Sequence, residues 1–358
     1  MPILDRLLDD AESAPAAVGS FIGGRLDTTD RRTFDDCEPA TGRVLARVAE
    51  AGPEGVARAV AAGEAAFPAW RGVPARDRAA LITELGHRIA AETDRLALLD
   101  ARDTDNPVTA MRADVTKGVR LLGDAAGLAL QVKGETFPLP GLHYTQREPW
   151  GVVGRMVTFN HPAMFTCARL GAALVAGNCV VLKPSELAPL STVAIAELTA
   201  GLLPDGVVSA VTGGPATGEA LVRHPDVHRI SFTGSTATAL RIQAAAAASG
   251  RVKTLSFELG GKNPIIVFPD VDLDQAAAAI VRGMNFTRVQ GQSCGSTSRL
   301  LVHESIADEI LDGVVAGAAR IRIGPPTDPA TEMGSMITPG ARQRCLDIVD
   351  EAVTGGAR

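Results

Sequence analysis

A single thiol with small neighbours is the group in this sequence best suited to covalent chemistry. Cys294 lies in GQSCGSTSR, residues 291–299, where Gly291, Ser293, Gly295 and Ser296 leave no bulky side chain beside the sulfur. A thiolate there could add to an electrophilic carbon, and the apolar run Leu300, Leu301, Val302 predicts a short strand that would hold it rigidly. A free cysteine is as a rule a small core residue, so the assignment needs chemical partners. Glu258 ends an apolar run ahead of Leu259, Gly260 and Gly261, and its carboxylate fits either a general base or a solvated residue beside a turn. Asn160, in TFNHP at 158–162, offers an uncharged amide donor that suits a transient oxyanion and equally suits a helix cap. His161 fits a packing or surface role better than catalysis. His224 and His228 have i,i+4 spacing, but Pro225 between them and the lack of a nearby third ligand argue against a metal site.

A second group of motifs suits a phosphorylated ligand. FTGST at 232–236 reads as a strand end, a turn at Gly234 and a helix start capped by Ser235, which leaves backbone N–H donors facing outward. An ordinary strand-to-helix turn would read the same way. KPSE at 183–186 supplies a cation, Lys183, and a carboxylate, Glu186, the pair needed beside a ribose and a pyrophosphate. A solvated charged turn is its bland alternative.

These residues need a scaffold, and after residue 150 the rhythm of the chain supplies one. Strand-like runs at 152–157, 179–182, 207–211, 230–232 and 265–268 alternate with helical stretches at 163–176, 190–203, 215–223 and 235–248. That alternation predicts an α/β fold with a parallel sheet, because each parallel crossover needs a connection of about a dozen residues. Ligands of such sheets bind at the carboxyl ends of strands. Asn160, Lys183 to Glu186, Gly213 with Gly214, and Gly234 with Ser235 follow four successive runs, so four loops of one sheet edge are expected to meet on one ligand. Before residue 150 we expect a surface helix and extended segments within 1–50, a helix from Pro53, and a longer one from Asp77 with Leu81, Leu85, Ile89, Leu96 and Leu99 on its stripe. A third helical region near 108–132 follows, and then an extended arm ending at Trp150.

The totals exclude several function classes. The 358 residues are enough for two domains or one elaborate one, and 46% hydrophobic with 21% charged residues is ordinary globular composition. A net charge of -6 without a Lys/Arg run argues against nucleic acid or anionic membrane as partner. Five cysteines at 37, 167, 179, 294 and 345 lack CxxC spacing, so neither a disulfide framework nor a zinc site is indicated. The acidic N-terminus lacks a signal-peptide pattern and the longest nearly uncharged stretch, 172–182, is too short to span a bilayer, so a cytoplasmic protein is expected.

Taken together, FNHP at 159–162, KPSE at 183–186, FTGST at 232–236, ELGGKNP at 258–264 and GQSCGSTSR at 291–299 resemble the NAD(P)-dependent aldehyde dehydrogenase family in order and approximate spacing. The likeness extends more loosely from about residue 20 to the end. It implies an aldehyde dehydrogenase-like fold: an NAD-binding domain from 1–130 and 151–259, an extended oligomerisation arm at 131–150, and a partial α/β catalytic domain at 260–358. It implies Cys294 as nucleophile, Glu258 as general base, and Asn160 with the Cys294 backbone N–H as oxyanion hole. The implied cofactor-binding set is Val157, Thr158, Phe159, Lys183, Ser185, Glu186, Gly213, Phe232, Gly234, Ser235, Leu259 and Gly260, with no metal. The implied cofactor is NAD in preference to NADP, the partner a small-molecule aldehyde, and the full-length assembly a homodimer or homotetramer.

The chain departs from the family at points that bear on the site. Thr158 and Phe159 stand where most members have Pro-Trp, and His161 replaces an aromatic residue, which points to an altered substrate tunnel or nicotinamide face. Family members continue beyond the point matching Arg358 through a stretch that contacts the nicotinamide ribose and a C-terminal strand, so this chain is expected to be less active and less stable than a longer version. Two readings stay open: a hydrolytic aldehyde dehydrogenase, and a non-catalytic remnant that binds nucleotide or a full-length partner. A CoA-acylating relative is disfavoured by Glu258, since release to CoA needs no base for water.

Overall fold

Strand segments buried on both faces are nearly continuous apolar runs, and Cys179–Lys183 is such a segment: all five residues are buried, and only Lys183, at its end, is charged. In the computed structural model, which describes residues 2–9, 16–30 and 32–357, it is an interior strand of a seven-stranded sheet. From one edge the order is Thr254–Glu258, Val227–Thr233, Val152–Met156, Cys179–Lys183, Val208–Ala210, Ser20–Ile22 and Arg25–Asp27. The first five are parallel, and the last two join as an antiparallel hairpin. The chain starts in the middle at 152–156, steps outward through 179–183 to 208–210, then returns to the other side of 152–156 with 227–233 and 254–258. Strand order therefore reverses between 152–156 and 227–233, and loops leaving those two strands diverge to opposite faces. A crevice opens between them at the carboxyl ends.

The strand-like runs read from the sequence are strands, with small differences at their ends. The 215–223 helix is Pro215–Arg223 and the 235–248 helix is Thr236–Ala248. The helix expected from Asp77 is instead two, Ala75–Ala91 and Thr93–Thr104. The break falls at Glu92, whose N–H bonds Ile89 O in a tighter turn while Thr93 Oγ1 bonds Ala90 O. The 108–132 region is helical over Val108–Gly127 with a short 3-10 turn at Ala129–Gln131. Helix Leu190–Glu197 stops short of residue 203, where Thr199 bonds Ala196 O and Gly201 turns with φ +67. The N-terminal helix Pro2–Asp9 is more than a surface helix, since Leu4 and Leu7 are buried in the core. Residues 130–150 are almost all exposed and carry one two-residue hairpin, Thr136–Phe137 with His143–Tyr144.

The apolar interior is divided. The main core joins the seven-stranded sheet to its helices, from Leu4 to Ala246. A second core, Val267 with Ala277, Ile280, Ile306, Ile310 and Val314, lies under the two-stranded parallel sheet Asn263–Val267 and Thr297–Val302. A small cluster of Ala97, Ala101, Val108, Ala110, Met111 and Val289 attaches the helices at 93–127 to the turn Phe286–Val289.

Helix 93–104 carries two fully buried carboxyls that finish other helices. Asp100 Oδ2 accepts from Ala163 N at 3.1 Å and Asp103 Oδ2 from Leu190 N at 3.2 Å, so each satisfies an N-terminal donor of a helix, 162–175 and 190–197 respectively. Burial nevertheless pushes the Asp100 carboxyl up to about 7. A folded-state value above the unfolded one means that the group's stabilising contribution is complete below about pH 4 and is lost as pH rises through about 7. Asp100→Asn keeps an acceptor for Ala163 N and removes the buried charge. We expect it to unfold at a higher temperature than the parent at pH 8, by about 1–3 kcal/mol in stability, with the difference closing toward pH 4. Thermal melts across that range check the sign.

Candidate active site

At the point of reversal the carboxyl ends of the strands open on a cavity of about 750 Å³. Its floor is the segment Met156 to Phe159, which leaves strand 152–156, and Phe232 to Ser235, which leaves its neighbour 227–233. Lys183, Ser185 and Glu186 come from the third loop, and Gly214 with Pro215 from the fourth. The four loops expected to converge do so. Helices 215–223 and 236–248 form the walls through residues such as Gly218, Val222, Ile242 and Ala245. Of the twelve residues expected at a cofactor, Val157, Thr158, Phe159, Lys183, Ser185, Glu186, Phe232, Gly234 and Ser235 line this cavity, whereas Gly213, Leu259 and Gly260 do not. Gly213 forms the turn before helix 215–223 with φ +138, and a Cβ there would lie 2.2 Å from Thr217 Oγ1. The wall residues were not singled out in sequence, because small and aliphatic residues at helical spacing read as packing.

The charged residues of this cavity are Lys183, Glu186, Glu219, Arg223 and Arg241. Lys183 is buried, its Nζ bonded to Pro184 O at 2.8 Å and to Glu186 Oε2 at 3.3 Å; burial lowers its pKa, opposed by the Glu186 carboxylate. Ser235 caps helix 236–248 by accepting from Thr238 N at 3.2 Å, so the hydroxyl serves the helix while the first-turn N–H groups lack intrahelical acceptors. Gly234 lets the turn fold over an aromatic ring, since a Cβ there would sit 2.3 Å from Phe232 Cζ.

The three residues expected to do chemistry lie outside the cavity wall, on neighbouring turns. Cys294 is exposed, in the loop between the 286–289 turn and the 297–302 strand. Asn160 is buried, and its Nδ2 donates to Gln292 O at 2.7 Å, two residues before the thiol. An amide nitrogen carries two hydrogens, so one holds the thiol loop and the other remains for a ligand oxygen. Glu258 ends the edge strand beside Thr233 and is exposed. Just beyond it, Gly261 lies so close to the thiol loop that a Cβ would be 2.3 Å from Cys294 O, and Asn263 Nδ2 donates to Cys294 O at 2.8 Å and Ser296 O at 3.1 Å. The arrangement joins a thiol, an amide donor and a carboxylate-bearing turn across the two cores. His161 packs as expected, buried and edge-on to Phe165, and in addition bonds Asp114, a residue the sequence did not mark. Among the described residues no His, Cys, Asp or Glu cluster could hold a metal ion.

The aldehyde dehydrogenase family matches residues 26–358 of the chain. Aldehyde dehydrogenase tropH of Talaromyces stipitatus is 41% identical over 355 residues, which is 97% of this chain and 68% of that protein. The chain belongs to the aldehyde dehydrogenase family. Members of this family are oxidoreductases acting on aldehydes, and the fold agrees: PnpE in complex with nicotinamide adenine dinucleotide superposes with a TM-score of 0.90 at 39% identity, covering 95% of this chain and 70% of that one. Indole-3-acetaldehyde dehydrogenase of P. syringae, solved as AldA with NAD+, superposes at 0.92 with 34% identity over 99% of this chain and 73% of that one. This aldehyde dehydrogenase chain thus spans about two thirds to three quarters of the length of these relatives.

The contact between the Glu258 turn and the thiol loop allows a test. Gly261→Ala should displace the Cys294 carbonyl and lower the melting temperature by an amount equivalent to about 1–3 kcal/mol. It should also change the rate at which iodoacetamide alkylates Cys294, and a melt together with mass spectrometry of the alkylated peptide measures both.

Proposed function

We propose that the chain carries the machinery for NAD-dependent oxidation of an aldehyde to its acid through a thioester on Cys294. The observation that supports this reading best is the bond from Asn160 to the carbonyl of Gln292, which joins an amide donor to the loop of an exposed, free thiol beside the mouth of a nucleotide-sized cavity.

The cavity fits a dinucleotide in volume and in its donors. Lys183 and Glu186 would hold the adenosine ribose, with Ser185 beside them, and the start of helix 236–248 would face the pyrophosphate. Val157, Thr158, Phe159, Phe232 and Gly234 would line the path toward the thiol, with Gly213, Leu259 and Gly260 shaping the turns around it. Bound there, the nicotinamide would accept a hydride. The chain's own residues do the rest. The Cys294 thiolate attacks the aldehyde carbon, and the carbonyl electrons move to oxygen, which the free Asn160 N–H and the Cys294 backbone N–H stabilise without neutralising the thiolate. After hydride loss Glu258 takes a proton from water, which attacks the thioester carbonyl and releases the acid and the thiolate. The exposed apolar residues Leu139, Leu142 and Tyr144 of the arm fit association with a second copy, as a homodimer or homotetramer. Among the described residues no helix is long and apolar enough to cross a membrane, which agrees with a cytoplasmic enzyme acting on a small aldehyde.

NADH formation over a panel of aldehydes tests the activity. Cys294→Ala should abolish it while nucleotide still binds, measured by fluorescence titration; retained turnover would remove the mechanism. Glu258→Gln should leave a burst of about one NADH per active site followed by a slow steady phase, because the base is needed after hydride transfer. NAD should be preferred to NADP, since the Glu186 carboxylate accepts from a ribose 2'-hydroxyl and repels a 2'-phosphate. Glu186→Ser should shift the ratio of kcat/KM values toward NADP by about tenfold or more, equivalent to one lost charge repulsion of about 1.4 kcal/mol.

A further inference from the structure

A buried carboxylate sits beneath the proposed reacting centre with one oxygen committed to each side of it. Asp114 lies in the middle of helix 108–127 and is fully buried. Its Oδ2 is 2.5 Å from Nδ1 of His161, and its Oδ1 accepts from Nη2 of Arg288 at 2.5 Å. His161 directly follows Asn160 and is the residue at which helix 162–175 begins. Arg288 lies six positions before Cys294, in the turn 286–289 that leads into the thiol loop. The Asn160 loop and the thiol loop are thus joined directly by Asn160 Nδ2 to Gln292 O and again through His161, Asp114 and Arg288.

The second tie has the properties of a clamp. A carboxylate without solvent is costly unless both oxygens are paired, and here a guanidinium and an imidazole N–H each take one. Arg288 cannot leave without stranding the buried charge, so the position of the 286–289 turn is set by a residue on a different element. That turn has little other freedom. Asn285 and Gln290, which bound it, both adopt left-handed backbone conformations at φ 57 and 53, and Gly291 follows at φ 75. Non-glycine residues are uncommon in that region and persist where their surroundings over-determine them. The surroundings here include Gln290 Nε2 to Asp105 O at 2.8 Å, Asn285 Nδ2 to Ser296 Oγ at 3.4 Å, and Arg288 on Asp114.

We propose that Asp114 is a positioning residue: through His161 on one side and Arg288 on the other, it holds the Asn160 amide and the Cys294 loop in the register that oxyanion stabilisation needs. This rests on the assignment of Asn160 and Cys294 to the reacting centre. It extends that assignment by making the residue after the asparagine, where most of the family resembled in sequence has an aromatic, one half of a charged clamp, with Arg288 as its counterpart.

The test reads the two loops directly and separately from turnover. Hydrogen exchange followed by mass spectrometry reports backbone protection at 158–162 and 290–296 in the parent chain and in Arg288→Met, Arg288→Lys, His161→Asn and Asp114→Asn. The Arg288 variants alter a side chain that is 43% exposed, so they keep the experiment decisive if Asp114→Asn does not fold. Arg288→Met should raise exchange in both segments, including 158–162, which Arg288 does not touch; Arg288→Lys, which keeps the charge, should restore part of the protection. His161→Asn, whose amide nitrogen can stand near the place of Nδ1, should stay close to the parent. In parallel, p-nitrophenyl acetate without nucleotide reports acylation of Cys294 as a burst of p-nitrophenolate. The burst rate constant should fall about tenfold to a hundredfold in Arg288→Met with the ester KM little changed, as expected for misplacement of roughly 1 Å. Exchange that rises only at 290–296, or a burst that is unchanged in a folded Arg288→Met, overturns the clamp. A parent chain with no burst at all counts against the chemistry proposed for Cys294, and the exchange pattern then decides the clamp on its own.

Discussion

One hydrogen bond between separately packed parts of the chain organises this protein: Asn160 Nδ2 to Gln292 O, 2.7 Å. Asn160 belongs to the loop that leaves strand 152–156, the middle one of the five parallel strands, and Gln292 to the loop that enters the second sheet. Neither residue could reach the other from its own core. The loop of Asn160 is aimed by helix 162–175, whose first turn is capped by Asp100, and the loop of Gln292 is aimed by the 286–289 turn, anchored on Asp114. Helices 93–104 and 108–127 therefore act as a frame for both sides of the thiol, which explains why they carry fully buried carboxyls where helices usually carry apolar residues.

Those carboxyls have a common logic. Asp100, Asp103 and Asp114 each place an oxygen on a donor that would otherwise be unsatisfied: two helix starts, an imidazole and a guanidinium. Asp36 lies against Asp103, and burial pushes the carboxyl of each upward. Polar groups placed this way are poor at adding stability and good at defining one arrangement, because a shifted helix would leave a buried charge or donor without its partner.

The cavity and the thiol loop obey different constraints. The cavity follows from topology: where strand order reverses, adjacent loops separate and a crevice must form. Its lining is more apolar than polar, with Lys183–Glu186 and Arg223–Glu219 as local ion pairs and Arg241 beside them. The thiol loop follows from strain and close approach, with left-handed Asn285 and Gln290 before Cys294 in the chain and Gly261 pressed against its carbonyl. A cleft of the first kind tolerates many side chains, whereas a contact of the second kind leaves room only for a hydrogen.

Local patterns determined the parallel sheet, its strand runs, the loops at their carboxyl ends and the family, because alternation of apolar strands with helices and the motifs around Asn160, Lys183, Gly234, Glu258 and Cys294 are written in contiguous residues. The break at Glu92 and the early end of the 190–197 helix were not legible there, since each depends on a single turn's hydrogen bonds against a continuing apolar stripe. Only the tertiary structure decided that nine of the twelve expected residues share one cavity while Gly213, Leu259 and Gly260 shape turns beside it. It alone brought Asp114 to His161 and Arg288, which are 47 and 174 positions away in the chain. An aspartate in the middle of a helix carries no local sign of such a role; its partners come from a different helix start and a distant turn, and burial, which makes the pairing matter, is a property of the packed fold.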